Sequence, residues 1–326
     1  MPYRLPPYRV EATFAPLALA DIIDWGLALL NVPDHWKRTA GAGVRVALLD
    51  TGIEESHPDL ADAIDESRDF TKSKSGPADR NGHGTHVAGI VAARKNNRGV
   101  VGVAPQSRLL VAKVLGDDGV GSSAAVAAGV DWACDCGAHV ISMSLGSPQP
   151  DTALHAAIQR ATAKGVFIIT AAGNAGRAGS VNYPARWRET VAVAAVDRNG
   201  RLSRFSSRGA QVDIAAPGQD VLSTYRDGGY AKLSGTSMAA PFVAGVVALL
   251  VSLHGNGSDR PCAGNADATT PLRNVNDLLE HLRRTAIDAG PVGYDPGYGW
   301  GLINPDKLLR APSAVGWAER SEAHAQ

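Results

Sequence analysis

Three short segments of this chain each hold one reactive side chain in a frame of Gly, Ala and Thr. They are LLDTGIEESHPDL around Asp50, NGHGTHVAG around His83 and SGTSMAAP around Ser237. A carboxylate, an imidazole and a hydroxyl are the groups that make a serine nucleophilic. The carboxylate holds the imidazole in one tautomer, the imidazole takes the hydroxyl proton, and the freed oxygen attacks an acyl carbon. The order Asp, His, Ser along a chain is one of three known for this chemistry. A fourth residue, Asn174 in TAAGN, can donate its amide to a developing oxyanion together with the Ser237 backbone N–H. Taken singly, each has an ordinary structural reading. Ser237 makes a helix cap, His83 a helix-start histidine, and Asp50 and Asn174 turn residues.

These residues need elements that bring them to one edge. VRVALLD (44–50) is an apolar run ending in a charge, which suits a strand buried on both faces. Further strands are expected at 108–115, 139–145, 166–172, 190–196 and 212–216. Helices are expected at 83–93, 122–134, 151–165, 237–253 and 275–287. Serines open the second of these, an Asp cap and a Gly stop bound the third, and Pro241 fits close to a helix start. Strands alternating with helices predict an α/β fold of three layers, a mostly parallel sheet with helices on both faces. In such sheets ligands bind beyond the carboxyl ends of the strands. Asp50 ends a strand, Asn174 follows one, and His83 and Ser237 begin helices, so all four can meet there. His86, one turn after His83, points elsewhere and reads as a core histidine.

Residues 21–310 are expected to form the layered core, with 1–20 an extension and 311–326 an aperiodic, disordered tail. The stretch 255–271 is rich in Gly, Asp and Asn and reads as a surface loop. Lys+Arg and Asp+Glu are equal at 32 each, so bulk charge makes no case for nucleic acid or an anionic membrane. The run Phe242–Val251 is too short to span a bilayer. Cys134, Cys136 and Cys262 make no disulfide framework and read as reduced thiols. The first residues, MPYRLPPYRVEATF, have no apolar signal core, so the chain is expected to be cytoplasmic.

The segments DTG…HPDL, NGHGTHVAG, ISMSLG, AAGN and GTSMAAP, from about Val44 to Asn304, resemble the subtilisin family of serine peptidases. The resemblance implies a serine endopeptidase with Asp50, His83 and Ser237 as its triad and Asn174 as the oxyanion amide. It implies two strand edges that clamp an extended substrate, Gly119-Val120-Gly121 and Ser144-Leu145-Gly146. Ser144–Gly146, Ala171–Gly173 and Asn182–Tyr183 would line the first side-chain pocket. No acid occurs in those segments, which predicts an apolar or aromatic residue before the cut. The resemblance also implies structural Ca²⁺, held by the Asp59 carboxylate, the Asn96 amide and carbonyls of Arg94, Arg98 and Val100, with Asp21 as a further ligand. Phe242 stands where the family usually has histidine.

Before the first core strand there is little chain for a folded prodomain. Leu5-Pro6-Pro7-Tyr8 instead resembles the LIPY-type motif of intracellular subtilisins, whose short extension lies back across the active site. Residues 1 to about 20 are therefore expected to act as an intramolecular inhibitor removed on activation. The remaining alternatives are a dedicated processing peptidase, a catalytically inert peptide binder, or an esterase. Ser237 lacks the GxSxG elbow that an esterase of the α/β-hydrolase type would carry. The resemblance leaves room for a homodimer.

Overall fold

The computed structural model describes residues 2–15, 20–254, 272 and 274–310. Cys262, the stretch 255–271 and the tail after Arg310 lie outside the described residues. In chain order the strands are β1 (Tyr3–Arg4), β2 (Arg9–Phe14), β3 (Arg45–Asp50), β4 (Ile64–Asp69), β5 (Arg108–Lys113), β6 (Val120–Gly121), β7 (Val140–Met143), β8 (Phe167–Ala171), β9 (Val191–Val196), β10 (Ile214–Pro217), β11 (Val221–Thr224) and β12 (Tyr230–Ser234). The helices are α1 (Trp25–Leu29), α2 (Val32–His35), α3 (His83–Ala92), α4 (Ser123–Asp135), α5 (Thr152–Ala163), α6 (Thr236–Leu253), α7 (Val275–Thr285) and α8 (Pro305–Leu308).

Seven strands form one parallel sheet in the order β10-β9-β8-β7-β3-β5-β4. Its central strands β3, β5, β7 and β8 divide their side chains between two cores. Val46 and Leu48 of β3 join the apolar layer shared with α3 and α6. Ala47 and Leu49 join the layer shared with α4 and α5. The period of two makes each of these central strands feed both layers, which is why they read as unbroken apolar runs. Side chains cap the helices as their sequences suggest: Ser122 accepts from the Ala125 N–H and Asp151 from the Leu154 N–H.

Helix α6 is long and apolar enough to cross a membrane by length and composition, so the Phe242–Val251 run understated it. Here Thr236 through Val251 are buried between the sheet and α3. Pro241 does not sit at the helix start as expected but inside the helix. Phe242 is fully buried, and a Cβ on Gly26 of α1 would stand 2.4 Å from its ring. The aromatic ring therefore fills the space that glycine leaves open, and α1 packs directly on it.

Strand β3 lies between β5 and β7, where successive crossovers change side. This is the topological switch point at which parallel sheets open a crevice. Asp50 stands at the carboxyl end of that strand.

Candidate active site

Asp50 is almost wholly buried, and its Oδ1 accepts from the Thr51 N–H at 2.8 Å and meets His83 Nδ1 at 2.7 Å. His83 is the first residue of α3. Its helix can approach β3 so closely because residue 84 is glycine: a Cβ there would lie 2.2 Å from the Gly52 carbonyl oxygen. With Nδ1–H donated to Asp50, His83 Nε2 is the basic nitrogen; it is buried and has no hydrogen-bond partner among the described residues.

Two residues that sequence reading passed over hold this pair in place. Asp79 Oδ1 accepts from Thr51 Oγ1 and from the Asn81 and Gly82 N–H groups at 2.8–3.0 Å. Its Oδ2 accepts both the N–H and the hydroxyl of Thr85 at 2.8 Å. One buried carboxylate thus holds the amides just before α3 and that of Thr85 in its first turn, and ties them to Thr51, whose Oγ1 in turn accepts the Gly84 N–H at 2.9 Å. Lys113, at the end of β5, is fully buried, and its ammonium spends all three donors. They go to the Thr51 carbonyl at 2.7 Å, the Ala78 carbonyl at 3.0 Å and Asp117 Oδ1 at 2.7 Å. A charge at the end of an apolar strand was the available signal for Lys113. For Asp79 it was an aspartate three residues before Gly82, just ahead of the expected helix start.

Ser237 lies in the first turn of α6, where backbone N–H groups have no intrahelical acceptor. Its Oγ points toward the Ser144 carbonyl at 3.5 Å and makes no hydrogen bond to His83. Pro241 has no N–H to give the Ser237 carbonyl four residues back. The Ser144 hydroxyl supplies the missing donor at 2.9 Å. Asn174 is oriented by the same helix start. Its Oδ1 accepts the Thr236 N–H at 2.9 Å and the Thr236 hydroxyl at 2.8 Å, which leaves Nδ2 free to face the cleft.

A sequence model of the subtilase family matches residues 41–301. The chain belongs to the subtilase family. It is 48% identical over 297 residues to the thermostable alkaline protease of Halalkalibacterium halodurans, covering 91% of this chain and 76% of that protein. It is 42% identical over 292 residues to subtilisin Savinase of Lederbergia lenta, covering 89% of this chain and 100% of that protein. Thermitase of Thermoactinomyces vulgaris is 45% identical over 229 residues, 70% of this chain and 82% of that protein. This subtilase is a serine endopeptidase that hydrolyses peptide bonds in proteins.

The N-terminal residues of the subtilase lie in the cleft. Tyr3 and Arg4 pair antiparallel with Gly121 and Val120, and Arg4 exchanges two backbone hydrogen bonds with Gly146. The Leu5 N–H reaches the Gly119 carbonyl at 3.1 Å. Asn174 Nδ2 donates to the Pro7 carbonyl at 2.8 Å. The Tyr8 ring then covers the His83 ring, centroids 4.9 Å apart, with its hydroxyl on Asn81 Oδ1 at 3.0 Å. Leu145 and Ser144 are buried beside this track. Gly173 and Gly146 each approach Asn182 so closely that a Cβ on either would lie within 3.3 Å of it. Ser147 pairs with Tyr183 across the same corner, while Ala171 is buried in the main core behind it.

The residues implied for calcium also gather in one place. Asp59 Oδ2 accepts from the Val100 N–H and the Tyr230 hydroxyl, and Asn96 Nδ2 stands 3.4 Å from Asp59 Oδ1. Asp21 Oδ1 accepts the N–H groups of Asn96 and Asn97. The carbonyls of Arg94, Arg98 and Val100 accept no hydrogen bond among the described residues. Asn96 Oδ1 accepts the Arg98 N–H at 3.0 Å, so the Asn96 amide would have to turn to offer its oxygen; the other candidate donors are oxygens, which fits a hard cation. No group of three acid, His or Cys side chains that could hold a metal occurs among the described residues, so carbonyls would have to complete this shell.

Proposed function

We propose that Asp50, His83 and Ser237 form the working triad of this endopeptidase and that residues 2–8 hold it shut. The observation that carries the reading is the Pro7 carbonyl on Asn174 Nδ2 at 2.8 Å, with Tyr8 over the His83 ring. In the open enzyme, His83 Nε2 takes the proton as Ser237 Oγ attacks the carbonyl of an extended substrate. Asp50 stabilises the imidazolium through Nδ1, and Asn174 Nδ2 with the Ser237 N–H stabilises the oxyanion. The leaving amine departs with the proton, and water then hydrolyses the acyl-enzyme.

The extension follows the substrate path but after Leu5 lacks the backbone donors of an ordinary substrate. Pro6 and Pro7 carry no N–H to pair with the strand edge. The carbonyl held by Asn174 belongs to Pro7, and Tyr8 takes the space that a leaving amine and the incoming water would use. Apolar or aromatic residues before the cut suit the acid-free pocket. Asp59, Asn96, Asp21 and the free carbonyls of Arg94, Arg98 and Val100 would hold a structural Ca²⁺, which ties the loop after α3 to the segment after Asp50.

The test is covalent labelling by a sulfonyl fluoride before and after residues 1–18 are deleted. The expected result is labelling of Ser237, faster by at least about tenfold in the deleted form. Equal rates would refute the covering role, and labelling elsewhere would refute the triad. Ser237→Ala should lower turnover by about 10⁶-fold, the cost of the same change in subtilisin itself.

A further inference from the structure

Beyond Tyr8 the extension does not leave the enzyme surface. Residues 9–14 form β2, which adds to the edge of the β11–β12 hairpin as a third, antiparallel strand. Arg9 lies opposite Ser234, Val10 opposite Leu233, Ala12 opposite Lys232, Thr13 opposite Ala231 and Phe14 opposite Tyr230. Strand β12 runs through Gly235 and Thr236 directly into Ser237, so this edge is continuous with the nucleophile.

The side chains of β2 do little of the holding. Every residue of the strand is exposed except Ala12, which is half-buried. Val10 and Phe14 remain 47% and 38% exposed. Among the described residues, the specific side-chain contact is the Lys232 ammonium over the Phe14 ring at 6.0 Å. Backbone pairing therefore carries the docking, and backbone pairing accepts almost any extended sequence. When β2 leaves, β12 is an open sheet edge with a row of unpaired N–H and C=O groups.

We propose that β12 is an extended binding site for the polypeptide on the leaving side of the scissile bond. The proposal rests on the reading that the extension occupies the substrate path. With the Pro7 carbonyl at Asn174, Arg9 is the second residue after the reacting position and Phe14 the seventh. A substrate on the same path would add itself to β12 as an antiparallel strand over that span. The favoured substrates are unfolded or locally unfolded chains that can lay out such a strand, with an aromatic residue near Lys232 adding to the hold. Short peptides would forgo these contacts.

The experiment uses the folded full-length chain with a specific-protease sequence inserted at 16–19, clipped after folding. Quenched fluorogenic peptides share their residues before the cut and carry either about two or about eight residues after it. The clipped enzyme is expected to hydrolyse the long peptide with kcat/KM at least about tenfold higher, since several backbone hydrogen bonds are added. N-methylation of alternate amides in the long arm should abolish the gain in one phase and spare it in the other, because an antiparallel strand turns only every second amide to its neighbour. A rise in activity on clipping with a long-to-short ratio near one would overturn this proposal alone. So would a ratio near one with β12 taken up by a second copy of the chain in sedimentation. No rise on clipping would overturn the inhibitory reading and this one with it.

Discussion

Asp79 accepts five donors, and each fixes a part that His83 or Asp50 depends on. Asp79→Asn keeps the shape but turns an amino group toward N–H donors. The start of α3 must then shift, and misplacement of a reacting group by about 1 Å costs about 10²-fold. The expected outcome is a fall in kcat of that order with KM changed by less than about threefold, read from steady-state kinetics. His86 behaves differently. Its Nε2 faces the Val221 and Ala231 carbonyls at 3.1 and 3.0 Å, so Nε2 carries the hydrogen and Nδ1 is the bare nitrogen. Burial pushes its pKa down to about 3. The folded state thus refuses a proton that the unfolded chain accepts below its ordinary value of about 6.5. Between those values the unfolded state binds more protons, so this contribution to stability is full at neutral pH and is lost as pH falls toward 3. Denaturant melts at pH 7 and pH 4.5 should show a smaller loss for His86→Asn than for the parent protein. Asp213 works against it: burial raises its carboxyl to about 7, which favours folding of the protonated form and weakens stability as pH rises through that value.

At the scale of elements, the proline in α6 and the hydroxyl of Ser144 form one unit. Ser144→Ala leaves the Ser237 carbonyl buried without a donor, at a cost of about 1–3 kcal/mol. Adding Pro241→Ala restores the helix N–H at that position. The double variant should recover most of the loss, and a double-mutant cycle by thermal melting measures the coupling. This unit was not legible in sequence, because Ser144 and Pro241 meet only through the fold. The central strands were legible because both faces of β3, β7, β8 and β9 are buried. β4 (IDESRD) was not, because an edge strand can carry charges on its exposed positions. β2 and β12 were missed for a related reason: β2 buries almost nothing, and β12 (YAKLS) breaks its apolar residues with Lys232. The contact between Asp50 and His83 follows from motif residues at a strand end and a helix start. Asp79 and Lys113 escaped notice because they bind mostly main-chain groups, which leave no mark in the side-chain alphabet.

For the whole molecule, the loop after α3 is the expected point of calcium dependence. Chelation should lower Tm by several degrees, and added calcium should restore it by mass action. Asp59→Asn should remove the response, and a melt indifferent to chelator in the parent protein would count against the site. The pairing of the extension also has a consequence in time. Polypeptides are made from the N-terminus onward and begin to fold as they emerge. The partners of β1 lie at Val120 and Gly121, whereas those of β2 lie at 230–234, just ahead of Ser237. Residues 3–4 can dock as soon as the first half of the sheet has left the ribosome. In the proposed inhibitory role, this order gives both covering strands their partners before the chain reaches the nucleophile.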